Sequence, residues 1–231
     1  MERSVIDVYD RSIFEMRNVF TVEECQAFID YHKNSPNKKA GTMMSSQRTH
    51  TVNKTLKIST DIVIDDPEHY FVKRYIEGLN KVHMEYTKHL SDIDRECGLR
   101  SISLGYPSAL RIQRTDKGNF FNWHSDYHDN RLIAVITYLN DIDEENGGST
   151  EFNSGRKIQP EVGKVIMFPV THLHLHRGNT ILNGPSKYIL TAFVIEPQPC
   201  SNPRFFQPDL PIEVSERIPG NVPENVAGFL T

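Results

Sequence analysis

Three stretches of this 231-residue sequence hold residues able to bind a metal ion or a charged ligand. The first is Trp123-His124-Ser125-Asp126, set among β-forming residues over 120–126. Side chains at i and i+2 of a strand share a face, so His124 and Asp126 can meet at one ion while Trp123 and Ser125 point away. An imidazole and a carboxylate so placed make two of the three ligands of a facial triad, which leaves positions open on Fe(II). A lone His-x-Asp is common by chance, so a third ligand is needed. Thr171-His172-Leu173-His174-Leu175-His176-Arg177 reads as a strand with three histidines on one face and two leucines on the other. Spacing leaves the choice among them open, His174 against His176 included. Three histidines would also suit a zinc trio, and a polar strand face above buried leucines needs no metal at all.

The remaining stretch is cationic. Lys187 opens a strand pattern in which Lys187, Ile189, Thr191 and Phe193 share the inward face. An ammonium on such a face demands an anion. A dicarboxylate would answer that demand, with hydroxyls of Thr191 and Tyr138 completing its hydrogen bonds; the alternative is a strand-end lysine in water. Arg111, Gln113 and Thr115 alternate toward one face in the same way. Arg111, among apolar neighbours, meets either an acidic group of a substrate or a structural ion pair. Trp123, the only tryptophan, is expected in the core.

Eight short strands must position these residues: 109–114, 120–126, 132–140, 150–153, 157–159, 164–168, 172–177 and 187–196. They are separated by Gly, Asn, Asp and Pro, a texture that predicts an antiparallel sandwich or barrel and not alternating βα units. Ahead of them the sequence reads as helical. Thr21 and Glu24 form a capping-box pattern opening a helix through about His32, with Val22, Cys25, Phe28 and Ile29 on one face. A second helix is expected over about 67–90, its apolar residues including Phe71, Tyr75, Leu79, Val82, Met84 and Tyr86. Residues 33–57 carry Lys33, Lys38, Lys39, Arg48, Lys54 and Lys57 and no acid, and read as a basic loop region with its charges in solvent. Residues 1–100 thus form helical support and basic loop within the same domain, 101–196 the catalytic core, and 197–231, with seven of the thirteen prolines, an irregular extension.

Composition bounds the rest. There are 26 Lys+Arg against 30 Asp+Glu, a net charge of -4, which argues against a generally basic nucleic-acid binder. No apolar run approaches the ~20 residues of a membrane span, and three widely spaced cysteines suggest neither zinc ribbon nor disulfide framework. A soluble, cytoplasmic protein is expected.

Leu110 to Val194 resembles the Fe(II)/2-oxoglutarate dioxygenase superfamily, within it the prolyl 4-hydroxylase-like branch with its short bacterial and phage-encoded members. The matching residues are Leu110-Arg-Ile-Gln-Arg-Thr-Asp-Lys-Gly118, Trp123-His-Ser-Asp126, Thr137-Tyr-Leu-Asn-Asp141, Gly147-Gly-Ser-Thr-Glu-Phe152, His176-Arg-Gly-Asn179 and Lys187-Tyr-Ile-Leu-Thr191. The resemblance implies a mainly β, double-stranded β-helix core of jelly-roll or cupin-like type with N-terminal supporting helices. It implies His124, Asp126 and His176 as Fe(II) ligands and catalytic residues, and Lys187, Tyr138 and Thr191 as residues holding 2-oxoglutarate. O2 is then the second co-substrate, ascorbate a candidate reductant, and the product a hydroxylated aliphatic carbon with succinate and CO2. A prolyl or other amino-acid residue of a peptide or protein is the expected substrate, a small molecule the other option. Arg111, Gln113, Thr115 and, at the start of a substrate-covering loop, Arg48 are the substrate-side candidates. The rival readings are a nucleic-acid demethylase of the same superfamily and a jelly-roll binding module without catalysis.

Overall fold

The structure, a computed structural model, describes residues 10–44, 50–93, 109–127 and 130–195. Its strands are β1 (Phe14–Met16), β2 (Lys39–Ala40), β3 (Met43–Met44), β4 (His50–Thr51), β5 (Thr60–Ile64), β6 (Leu110–Thr115), β7 (Phe121–His124), β8 (Arg131–Tyr138), β9 (Thr150–Phe152), β10 (Lys157–Ile158), β11 (Val165–Pro169), β12 (His176–Gly178) and β13 (Lys187–Ile195). Two helices, α1 (Val22–Asn34) and α2 (Tyr70–Ile93), precede β6. The strands form a seven-stranded sheet, β1-β11-β8-β13-β6-β5-β2, and a four-stranded sheet, β10-β9-β12-β7, with β3 and β4 paired separately. Every described pairing is antiparallel.

Alternation along the large sheet sorts its two faces. Leu110, Ile112, Leu190, Ala192 and Val194 turn one way and are buried against the helices. Arg111, Gln113, Thr115, Lys187, Thr191 and Phe193 turn the other way, toward the small sheet, and line a cavity. The helices exist to cover the first face. On α2 the buried residues Val72, Tyr75, Leu79, Val82 and Tyr86 recur at three- and four-residue spacing, an apolar stripe on one side of a helix. Burial of each of these larger apolar side chains contributes roughly 1.5–3 kcal/mol. The α1 N-terminus carries the expected capping box, Glu24 N–H donating to Thr21 Oγ1 and Thr21 N–H to the Glu24 carboxylate, and Arg74 of α2 pairs with Glu24. Two expected stripe members lie outside: Val22 and Met84 are exposed, because Cys25, Phe28, Ile29 and His32 set the buried face of α1 and the 72–86 stripe that of α2.

The region before residue 100 is less helical than its sequence suggests, since β1 to β5 all lie there. β5 extends the large sheet by pairing with β6, Ile62 opposite Ile112. Lys57, expected in a solvated loop, is buried and bound to Asp61 at 3.0 Å. Its charge is neutralised there by Asp61 of β5. Arg48 and the Pro-rich 197–231 segment lie outside the described residues.

One turn clamps the fold. Gly163 accepts the Val19 N–H at 2.9 Å and donates to Tyr138 O at 2.9 Å. Its φ is +74°, and a Cβ there would stand 2.2 Å from the main-chain oxygen of Phe20. Neither the left-handed backbone nor that contact can be relieved by a side-chain rotation. Gly163→Ala is therefore expected to destabilise the protein by about 3 kcal/mol, read as a lower denaturant midpoint at unchanged m-value.

Candidate active site

The strand pattern brings the first two histidines face to face. β12 pairs with β7 with His176 directly opposite His124, and with β9 with His176 opposite Phe152. His124 sits at the last residue of its strand, so Asp126 comes from the loop that follows and not, as expected, from the strand itself. The loop bends back far enough that Asp126 Oδ2 is 3.5 Å from His176 Nε2 and Oδ1 is 3.8 Å from His124 Nε2. One donor atom from each of the three residues lies within 4.8 Å of the other two, and among the described residues no other such His/Cys/Asp/Glu cluster occurs.

Hydrogen bonds settle which ring nitrogen faces inward. His124 Nδ1 is 2.8 Å from Asn122 O and His176 Nδ1 is 3.1 Å from His174 O. A carbonyl can only accept, so each Nδ1 carries the proton and each Nε2 presents its lone pair to the shared point, which is how metal-ligating histidines are oriented. Burial, then the neighbouring His176, pushes the His124 pKa down to about 3, so its ring is neutral at physiological pH. Two imidazole nitrogens and one carboxylate are a donor set that suits Fe(II).

His174 is excluded from this point by its own bonds. Its Nε2 lies 2.8 Å from Ser12 Oγ and its Nδ1 2.8 Å from Thr171 Oγ1. His172 is exposed beside Tyr127, the ring centroids 4.2 Å apart. The expected strand over 172–177 is a bend that becomes a strand only at His176. Its leucines accordingly face solvent, Leu173 at 70% exposure, and the supposed inside-out assignment is reversed. Trp123 is likewise corrected: it stands on the outer face of the small sheet, 40% exposed, with the Arg177 guanidinium 4.8 Å from its ring centroid.

Lys187 marks the other end of the site. Its side chain is buried, and Nζ donates to Gly148 O at 2.7 Å. Among the described residues no carboxylate pairs with it, and desolvation alone pushes its pKa down to about 8. Nζ would lie 3.6 Å from a Cβ placed on Gly178. Gly178 is two residues along β12 from His176, a repeat of about 7 Å on one face. Because Gly178 has no side chain, the space between the ammonium and the histidine pair stays open.

Two hydroxyls line the same cavity. Gln113 Nε2 donates to Thr191 Oγ1 at 2.7 Å, and Tyr138 Oη donates to Thr150 Oγ1 at 2.8 Å. Each threonine oxygen thus accepts from the wall, which leaves its own proton for an acceptor in the cavity. Tyr138 itself is fully buried between the sheets and does not line the cavity. Tyr138, expected to face a bound carboxylate, instead gives its hydroxyl proton to Thr150, a cavity-lining residue that sequence reasoning passed over.

The cavity holds about 360 Å³. Arg111, Gln113 and Thr115 line it, as do Lys57, Arg131 and Phe121. Arg111 is in the structural ion pair that was one of its two expected roles, Nη1 to Asp61 Oδ2 at 3.2 Å. Lys57 and Asp61 could not be read as site residues, because nothing in a Lys-x-x-x-Asp spacing says that a five-residue strand will bury both.

Known proteins give a consistent comparison. The family model of the 2OG-Fe(II) oxygenase superfamily matches residues 110–195. Among solved structures, a prolyl-4-hydroxylase of Pseudomonas putida is similar with a TM-score of 0.63 at 15% identity, over 83% of this chain and 97% of its own. A prolyl hydroxylase of Trichoplax adhaerens, in complex with a hypoxia inducible factor oxygen degradation domain peptide fragment, gives 0.60 at 14% identity over 83% and 87%. The viral collagen prolyl hydroxylase of Paramecium Bursaria Chlorella virus-1, in its 2OG complex, gives 0.54 at 19% over 80% and 96%. These likenesses are of fold, and they agree with the double-stranded β-helix expected from sequence. No curated protein matches the sequence. Among the described residues no helix is long and apolar enough to cross a membrane.

Proposed function

We propose that the chain, whose residues 110–195 match the family model of the 2OG-Fe(II) oxygenase superfamily, is a 2-oxoglutarate-dependent dioxygenase that hydroxylates an unactivated aliphatic C–H of a prolyl or other amino-acid residue in a peptide or protein. The observation that carries this reading is the meeting of His124, Asp126 and His176 at one point, with the buried Lys187 ammonium one strand repeat away and, among the described residues, no carboxylate to pair with it. Fe(II), when bound, supplies O2 activation coupled to oxidative decarboxylation of 2-oxoglutarate to succinate and CO2.

The protein's own part is positioning. The two Nε2 atoms and the Asp126 carboxylate would hold the ion. Lys187, with the Thr191 and Thr150 protons, would hold the distal carboxylate of 2-oxoglutarate in charge-assisted hydrogen bonds. Gln113 and Tyr138 orient those two hydroxyls from behind. Of the three substrate-side candidates in the cavity wall, Thr115 pairs with Lys187 across the strands and Gln113 with Thr191, so the substrate role falls to Arg111 in this reading. The peptide seen on the Trichoplax adhaerens prolyl hydroxylase supports a peptide substrate.

The test is succinate formation from 2-oxoglutarate with Fe(II), with and without proline-containing peptides. Succinate that requires Fe(II) and O2 and rises with a peptide supports the reading, and none under any condition opposes it. A pH dependence follows from Lys187. Its pKa is about 8 without ligand, and a bound dianion favours the charged form, so binding takes up a proton once the pH exceeds that value. The Kd of 2-oxoglutarate is expected to be flat below about pH 8 and to rise up to ~10-fold per pH unit above it, measured by calorimetry with Mn(II) in place of Fe(II).

A further inference from the structure

Residues three apart on a regular strand face opposite ways, yet Phe121 and His124, the first and last residues of β7, lie ring on ring. The register explains it. Against β12, His124 stands opposite His176 and Phe121 opposite Gly178, so two steps of β12 face three of β7. The surplus residue makes a β-bulge, which shifts the alternation of faces by one and re-aims the side chains beyond it. Hydrogen bonds hold the bulge in place. Asn122 Oδ1 accepts the Trp123 N–H at 2.8 Å. Residues 56–58 hold the backbone alongside, Asn122 N–H donating to Leu56 O at 2.7 Å and Ile58 N–H to Phe120 O at 2.9 Å.

The bulge has two results at a single ring. The Phe121 ring lies 7° from parallel with the His124 imidazole, their centroids 3.6 Å apart, and Asn122 O, inside the bulge, accepts from His124 Nδ1 at 2.8 Å. The hydrogen bond fixes one edge of the imidazole and the phenyl face fixes its plane. Together they leave Nε2 one direction, toward Asp126 and His176. Phe121 is braced in turn, with the Lys57 ammonium 5.0 Å from its centroid and that ammonium held by Asp61 at 3.0 Å. Such close overlap is not what two neutral rings prefer, since their negative faces repel. It becomes favourable once the imidazole lends its lone pair to a cation and its ring is drained of electrons, by the attraction that draws cations to an aromatic face.

We propose that Phe121 is a positioning residue for the metal site: aimed by the β7 bulge, its ring fixes the plane of His124 and favours that imidazole when it is bound to a cation. This rests on reading His124, Asp126 and His176 as metal ligands. It adds to them a side chain that acts only through His124.

Metal binding without co-substrate tests it. Mn(II) affinity would be measured by paramagnetic resonance and the Co(II) site by its visible bands, with a urea curve for each variant to show that the titrated protein is folded. Phe121→Leu is expected to weaken Mn(II) by about 10–100-fold, the range for a residue that orients a ligand, and to alter the Co(II) bands. Phe121→Tyr keeps the aromatic face, and because Phe121 borders the cavity a hydroxyl has room there. Its affinity is expected within about threefold of wild type, with wild-type bands. Phe121→Ile, β-branched and suited to a strand, replaces the leucine variant if that one does not fold. Wild-type affinity in the aliphatic variants, a tyrosine variant as weak as they are, or weaker binding with unchanged Co(II) bands overturns the proposal while the metal site stands. A wild-type protein that binds neither ion removes the metal-site reading, and this one with it.

Discussion

Replacement of His176 by alanine is expected to abolish metal binding and turnover, while replacement of His174, two residues away, leaves both in place. The difference follows from what each ring touches. His176 Nε2 faces Asp126 at 3.5 Å and His124 across the strand pair, with nothing but the shared point between them. Its loss takes away one of three ligands, and must exceed the roughly 10–100-fold loss that follows removal of a residue merely supporting a ligand. His174 has both nitrogens committed to hydroxyls, of Ser12 and Thr171, before the strand begins. His174→Ala should therefore act on stability, by about 2 kcal/mol from the lost hydrogen bonds and the space left behind. It should also alter the acid limb. Burial, then the neighbouring His176, pushes the His174 pKa down to about 4 from an ordinary value of 6.5, so between those pH values the unfolded chain binds the extra proton. Stability is thus intact above pH 6.5 and falls as pH drops toward 4, by up to roughly 3 kcal/mol for this group, and His174→Ala should lose that component. Metal stoichiometry and urea unfolding at pH 7 and pH 5 separate the two variants.

Lys187→Met should make the protein more stable and useless at once. The wild-type ammonium is buried with, among the described residues, only the Gly148 carbonyl as partner, and its pKa, down to about 8 from 10.5, shows that folding disfavours the charged form. At pH 7 that amounts to roughly 3 kcal/mol against folding, partly offset in the variant by leaving the Gly148 carbonyl without its donor, so a net gain of ~1–2 kcal/mol is expected. The sign has a second consequence. Wild-type stability should rise with pH between about 8 and 10.5, where the unfolded chain still holds the proton and the folded one does not, and the variant should lack this rise. Loss of the ammonium removes the ion pair with the distal carboxylate of 2-oxoglutarate, worth on the order of 100-fold or more in affinity. Thermal melts of the metal-free protein and 2-oxoglutarate titrations with Mn(II) read the two effects independently.

How much of this was legible beforehand depends on range. Local chemistry was readable: the Thr21–Glu24 capping box, the alternation of β6 and β13, and the inward face of Lys187 all follow from neighbours in sequence, and all stand in the fold. Pairing was not. Whether His174 or His176 meets His124 is decided by the β7–β12 register and by Ser12, more than 150 residues away. Trp123 and Leu173 look like core residues by type, yet among the described residues no layer covers the outer face of the small sheet, and both are exposed there. Lys57 failed in the opposite sense. A basic run free of acids suggests a solvated loop, and only the pairing of β5 with β6 shows that Asp61 draws this lysine inward beside Arg111. Tyr138 was placed at the right wall but one residue too close, because sequence does not tell that Thr150 takes its hydroxyl first.

The most direct measurement is anomalous diffraction from crystals of the protein grown with Mn(II) and 2-oxoglutarate. The expected map has one metal peak on His124 Nε2, His176 Nε2 and an Asp126 carboxylate oxygen, with the diacid running past Gly178 and its far carboxylate on Lys187 Nζ. A peak that falls on His174, a metal absent from the three residues, or a diacid seated away from Lys187 would contradict the account.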